Sequence, residues 1–388
     1  MKFPQHADTA LVLTGGGARA AYQVGVLRGI ADMVPRNYSV PFPILCGTSA
    51  GAVNATSLAC YASCFHLGVK KLEWVWKNFR TDQVYQSGYW QVWRHVLTRF
   101  ARILQSEQAS SGPSSLLNNQ PLRQLLHKVY DFKRIDNNIH GGHLRAISVT
   151  ASCYDDGKSV SFYQANDDIE PWFRAKRLGQ RVSLNSEYLM ASAAIPLVFP
   201  SVRIQRRYYG DGSVHQLAPL SPAVHLGARR ILVIGVEQPK LDKPRQRQRH
   251  PRTAEIAGHL LDTIFADTLN SDVERLKRVN DTVDFLDKHK IAHPDLRHID
   301  TMIINPSADF NAIARRHYER LPRAVRSLLR TLGVNADSDS SLMSYLLFEA
   351  EFCRELMDMG YRDARDRSHS LRQFLQLPGA HQQRSLTR

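Results

Sequence analysis

LVLTGGGARAAYQVGVLRGI, residues 11–30, sets a short apolar run against three consecutive glycines, and then against a stretch with apolar side chains at Val24, Val26, Leu27 and Ile30. The first run reads as a buried strand and residues 20–33 as a helix. Glycines at a strand-to-helix turn let another group approach the backbone closely, and the helix start behind them favours negative charge. A phosphate, a dinucleotide and an oxyanion all fit such a turn.

The same grammar recurs along the chain. VPFPILCG (40–47) reads as a strand and TSAGAVNATSLACYA (48–62) as the helix after it. Further strands are expected at 144–152, 160–165, 208–212, 229–236 and 298–307, with helices over 253–288, around 323–333 and over 341–361. Strands alternating with helices predict an α/β fold with parallel strands inside the sheet.

Composition narrows the field less. At 388 residues the chain suits one large α/β domain or two ordinary ones. Lys and Arg number 51 against 36 Asp and Glu, a net charge of +15, which attracts an anionic surface without specifying nucleic acid, lipid headgroups or an acidic partner. Cys46, Cys60, Cys64, Cys153 and Cys353 are odd in number and lack CxxC spacing, so neither a disulfide framework nor a zinc site is expected. No apolar leader precedes the first strand and no apolar run reaches spanning length, so a cytoplasmic protein is expected, with any membrane contact peripheral. Residues 72–100 hold Trp74, Trp76, Trp90 and Trp93; this density suits an interfacial or lid segment, or a helical pair packed on the sheet. Residues 240–252, KLDKPRQRQRHPR, read as a solvated basic loop.

Three constellations carry chemistry. Gly15-x-Gly17-x-x-Ala20 satisfies the dinucleotide pattern G-x-G-x-x-A, but the second strand ends in Cys46-Gly47 where that fold wants an acidic residue. No Lys-Ser/Thr pair follows the glycines, which excludes a Walker A loop. Gly47-Thr48-Ser49-Ala50-Gly51 is a G-x-S-x-G, which at a strand-to-helix turn exposes a serine hydroxyl on a strained elbow. Serine needs a base, and Asp211, between Gly210 and Gly212, can serve once the fold brings it near. His215 is the histidine nearest to it in sequence and nothing singles out His225, so a dyad without histidine is the better expectation.

Strand-GGGAR, strand-GTSAG and a DG after ASAAIPLVFP, in this order, closely resemble the patatin-like phospholipase family. The resemblance implies a three-layer α/β/α fold with a mainly parallel sheet and a helical C-terminal extension. It implies that Gly15, Gly16, Gly17, Ala18 and Arg19 form the oxyanion-hole motif, with Arg19 holding that loop or balancing charge. Ser49 would be the nucleophile, Gly47, Thr48, Ala50 and Gly51 its elbow, and Asp211 the dyad partner. This chain has DGS where the family usually has DGG or DGA, a departure placed after the aspartate. Expected boundaries are a catalytic core over 8–239, the basic loop over 240–252, the extension over 253–361 packed on the core, and a flexible tail over 362–388. The implied activity is acyl-ester hydrolysis of a lipid, with phospholipase, lysophospholipase and neutral esterase open. No cofactor, metal or nucleic acid is expected, and contact with an anionic membrane face is compatible with the charge. A dinucleotide-binding oxidoreductase and a catalytically silent lipid-binding protein are the competing readings.

Overall fold

The computed structural model describes residues 8–86, 88, 115–239, 253–264, 268–293, 296–331, 333–334 and 341–377. The strands are β1 (Thr9–Leu13), β2 (Ile44–Thr48), β3 (Ala146–Cys153), β4 (Ser159–Ala165), β5 (Trp172–Arg174), β6 (Arg177–Arg181), β7 (Val202–Ile204), β8 (Arg207–Asp211), β9 (Arg230–Ile234) and β10 (Asp300–Ile304). They form one sheet in the order β10-β9-β1-β2-β3-β4-β6-β5, with β8 on β3 and β7 on β8. From β10 to β3 every pairing is parallel, as the alternation of strands and helices predicts. The antiparallel pairs gather at the other side, where β4 and β8 join β3.

Helices α1 (Ala21–Ala31), α2 (Ala50–Cys60), α3 (Phe65–Lys77), α4 (Thr81–Val84), α5 (Gln120–Val129), α6 (Lys133–His140), α7 (Ser186–Ser192) and α8 (Ser221–His225) accompany these strands. Beyond β9 come α9 (Thr253–Asp262), α10 (Thr268–Lys288), α11 (Phe310–Arg316), α12 (Arg323–Thr331), α13 (Leu342–Leu346), α14 (Ala350–Asp366) and α15 (Ser368–Phe374). Alternation along β1 explains the layering. Leu11 and Leu13 enter the larger apolar cluster with Leu27, Ile30 and Leu58 from α1 and α2, while Ala10 and Val12 enter a second cluster with Ala223 of α8 and Leu269 of α10. Successive side chains of a strand point to opposite faces, so a parallel sheet apolar at every position must be covered on both.

The C-terminal third is built into this core. β10 extends the sheet by pairing with β9. α14 crosses α1 so closely that a Cβ on Gly25 would lie 1.9 Å from the Met357 carbonyl oxygen, and one on Gly360 2.2 Å from that of Tyr22. Only glycine permits that approach. The Tyr22 hydroxyl then donates to Asp363 Oδ2 at 2.8 Å.

Two expectations need correction. Residues 362–377 do not fray: α14 continues to Asp366, α15 buries Leu371 in the main cluster, and Leu375 and Leu377 just beyond it are buried there too. Leucines four apart on one helix face outweigh the charged residues around them. Residues 341–361 are not one helix either, because Glu349 is extended (φ −120°, ψ 137°) and separates α13 from α14. The short strands β5, β6 and β7 carry no apolar run and were not foreseen. The basic loop 240–252, the tail beyond 377, Trp90 and Trp93 lie outside the described residues. The five cysteines are unpaired, and all but Cys64 are buried. Among the described residues no helix is long and apolar enough to cross a membrane.

Candidate active site

Strand register brings residues 49 and 211 together. β4 occupies one edge of β3 from Ala146 to Ser152, so β2 and β8 must share the other. β2 runs along that edge as far as Thr48 opposite Thr150, and β8 arrives antiparallel with Asp211 opposite Ala151, the next position. The two strands meet end to end. The residue that follows β2, Ser49, therefore lies beside the residue that ends β8.

Ser49 occupies the turn into α2 with φ 55° and ψ −129°, a conformation that costs an L-residue about 1–3 kcal/mol and is held only by its surroundings. The surroundings are identifiable. Its N–H donates to Ser192 Oγ at 2.9 Å, and that hydroxyl donates to the Thr150 carbonyl at 2.6 Å, tying the turn to β3. A Cβ on Gly51 would lie 2.3 Å from the Leu13 carbonyl oxygen, so glycine there lets the start of α2 rest on the end of β1. Thr48 Oγ1 donates to Gln216 Oε1 at 2.9 Å, and Gly47 is packed against Ala52. The positive end of the α2 dipole faces Ser49, where the N–H of Ala50 begins the helix without an intrahelical acceptor.

Asp211 is wholly buried. Its N–H donates to the Ala194 carbonyl at 2.9 Å, and Oδ1 accepts the Ser213 N–H at 3.0 Å. Burial pushes the carboxyl pKa up to about 6, against the opposing pull of Ser49 and Ser213, which favour the anion. Oδ2 has no hydrogen bond of standard geometry.

The glycine loop divides between two cavities. Gly17 lines an apolar cavity with Ser49, Ala50, Val53, Trp76, Phe79 and Phe348, among others. Gly15 faces instead a second cleft with Thr14, Thr48, Ser213 and Gln216. Gly16 packs against Val236 and Ala18 is buried. Among the described residues no acceptor takes the N–H of Gly15 or Gly16. Arg19 is 2% exposed. His215 is not a partner of the carboxylate: its own N–H donates to Ser152 Oγ at 3.0 Å, and Nδ1 is buried without a partner.

Several residues that shape the site were not legible beforehand. Trp76 Nε1 donates to Asn54 Oδ1 at 2.9 Å, Asn54 Nδ2 to Gln23 Oε1 at 3.0 Å, and Gln23 Nε2 to the Thr14 carbonyl at 2.8 Å. This buried relay joins the cavity wall to the residue before the glycines. The available signal was a lone amide in each of two apolar helices, Gln23 and Asn54, where an unsatisfied polar group would be costly. Trp76, Phe79 and Phe348 pack into one wall, tilted for Trp76–Phe79 with ring centroids 5.1 Å apart and edge-to-face for Phe79–Phe348 at 5.6 Å. Among the described residues no three His, Cys, Asp or Glu side chains gather as metal ligands would.

The chain matches the family model described as Patatin-like phospholipase over residues 11–224, more than half of its 388 residues. Among solved structures it is similar to VipD from Legionella pneumophila, with 12% identity and a TM-score of 0.33, covering 96% of this chain and 67% of that one. It is also similar to human GIVD cytosolic phospholipase A2, with 9% identity and a TM-score of 0.43, covering 95% of this chain and 60% of that one. The chain thus spans about three fifths of the human protein's length. No curated protein matches it. The family match runs from within β1 to within α8 and takes in both turns and the aspartate, and on that match the chain belongs to the patatin-like phospholipase family.

Proposed function

We propose that this protein is a serine lipid acyl hydrolase that works through a Ser49–Asp211 dyad and a backbone oxyanion hole. The observation that carries this is that a strained Ser49 lines an apolar cavity and lies, by strand register, beside a buried carboxylate whose Oδ2 is unengaged. In the first step Asp211 takes the hydroxyl proton while Ser49 Oγ bonds to the ester carbonyl carbon. The carbonyl oxygen becomes an oxyanion, held by the N–H groups of Gly16, Gly17 and Ala50. Loss of one such donor typically costs ~10²–10³ in rate. Collapse of the intermediate expels the alcohol, which takes the proton from Asp211. A water, deprotonated by the same carboxylate, then releases the fatty acid and restores the hydroxyl.

Substrate class rests on family membership and on the cavity wall. Trp76, Phe79, Val84, Leu122, Ile195 and Phe199 offer an acyl chain apolar surface with almost no competing polar groups. Leu197, between two of these residues, is 76% exposed at φ 66°. A bulky apolar side chain held outward in that backbone region suits a rim that meets lipid. The test is active-site labelling with a fluorophosphonate, followed by mass spectrometry of fatty acids released from phospholipid vesicles. The wild-type chain is expected to label at residue 49 and to release acid, and Ser49→Ala to do neither. A wild-type chain that neither labels nor releases acid sinks the proposal.

A further inference from the structure

We propose that the chain beyond the family match completes the catalytic site, with Arg19 as the positioning residue through which it acts. This rests on the acyl-hydrolase reading. Arg19 follows the glycines in a single 3₁₀ turn, Gly17–Ala20, and among the described residues its side-chain hydrogen-bond partners come from 262–345. Nε donates to Ser344 Oγ at 2.9 Å, Nη1 to Asp262 Oδ1 at 3.0 Å and to the Tyr345 hydroxyl at 2.9 Å, and Nη2 to Asn311 Oδ1 at 3.0 Å. Four of the five guanidinium N–H groups are thereby used. The guanidinium carbon stands 3.8 Å from the centre of the Tyr345 ring. The partners also hold one another: the Tyr345 hydroxyl donates to Asp262 Oδ1 at 2.9 Å, and Ser344 Oγ lies 2.8 Å from Asn311 Oδ1.

Tyr345 grips the loop a second time. A Cβ on Gly17 would lie 2.4 Å from its carbonyl oxygen, and Gly17 has φ +53°. A run of glycines has little conformational preference of its own, whereas an oxyanion donor must be fixed to within about half an ångström to contribute. Side chains within 11–224 supply the relay to Thr14, but among the described residues the Arg19 side chain is held by hydrogen bonds from outside that span. The break between α13 and α14 gives this grip its shape, because it lets Tyr345 reach the loop while Phe348 joins the cavity wall. A buried guanidinium is costly unless its hydrogen bonds are met, and here a turn of the catalytic loop is the element that it anchors.

The experiment uses the full chain and three variants, Arg19→Lys, Tyr345→Phe and Asp262→Asn, each checked for folding by circular dichroism. Fluorophosphonate labelling rate and steady-state hydrolysis of a short p-nitrophenyl ester are then measured. Arg19→Lys is expected to lower kcat and the labelling rate by ~10–100-fold with KM within about twofold, and the two partner variants by ~3–10-fold. A merely structural role would not confine the loss to kcat. Folded variants that label at the wild-type rate, or that lose only KM, overturn the inference. So does failure of all three to fold, which would make the network a folding element only. Absence of labelling in the wild-type chain removes the acyl-hydrolase reading itself, a separately visible result.

Discussion

Two strand–turn–helix units of this protein start from one sequence grammar and end in different chemistry. In the first, β1 leads through Gly15–Gly17 to α1; in the second, β2 leads through Ser49 alone to α2. The first turn is long, has no side chains on its glycines, and leaves backbone N–H groups unclaimed by described residues. The second is so short that one residue absorbs the whole change of direction, at φ 55°, and projects its hydroxyl. The units lie side by side because β1 and β2 pair in parallel, with Leu13 opposite Gly47. Turn length thus decides whether a strand end offers backbone amides or a side-chain hydroxyl, and parallel pairing sets the two offers next to each other. Their supports differ as well. The serine turn is held from within the family-matched span, by Ser192 and Thr150, and the glycine turn partly from beyond it, by Tyr345.

The contrast can be broken from either side. Asp211→Asn is expected to reduce kcat by ~10³–10⁴, since an amide cannot take the serine proton. It should also stabilise the fold at pH 8. The carboxyl's pKa is raised to about 6 by burial, so its ionised form disfavours the native state above that pH, and the penalty fades as pH falls toward the ordinary carboxylate range. Thermal melts at pH 8 and pH 5 read this directly; a destabilised Asn variant at pH 8 contradicts the assignment. On the other side, Gly17→Ala forces a Cβ toward the Tyr345 carbonyl at a positive φ. We expect a ~10²–10³-fold loss of kcat together with a lower Tm. Wild-type kinetics there would mean that the glycine turn takes no part in catalysis.

Smaller effects sharpen the picture. Activity should fall about tenfold per pH unit below an apparent pKa near 6, as protonation removes the Asp211 base. A flat kcat/KM profile between pH 5 and 7 would point to another base. Leu197→Asp should lower hydrolysis of phospholipid vesicles several-fold while sparing a soluble short-chain ester; equal losses on both would place Leu197 in folding rather than lipid contact. His215→Ala should leave kcat within about twofold, because its backbone N–H, not its ring, is the group hydrogen-bonded in the site. A severe loss in that variant would restore histidine to the mechanism.

Part of this was legible in order and spacing. Apolar runs ending in glycine or serine turns marked β1, β2 and the helices behind them, and the α/β alternation implied the parallel centre of the sheet. The strand ending in Asp211 was visible too, as an aromatic pair before a DG. Less legible were the amides Gln23 and Asn54, which are ordinary residues until their helices pack. Residues 347–349 carry no breaker, and the stop there coincides with Tyr345 and Phe348 taking separate partners.

By itself, the sequence determined the local offers: a glycine turn, a serine elbow and an aspartate at a strand end, each dictated by backbone sterics over a few residues. What tertiary structure alone decided was which of them meet. The shared edge of β3 aligns Thr48 with Thr150 and Asp211 with Ala151, and the docking of α13 delivers Tyr345 to Gly17 and Arg19. Register and docking depend on how two layers of helices bury both faces of the sheet, and that sum runs over contacts between residues hundreds of positions apart, which no local pattern encodes.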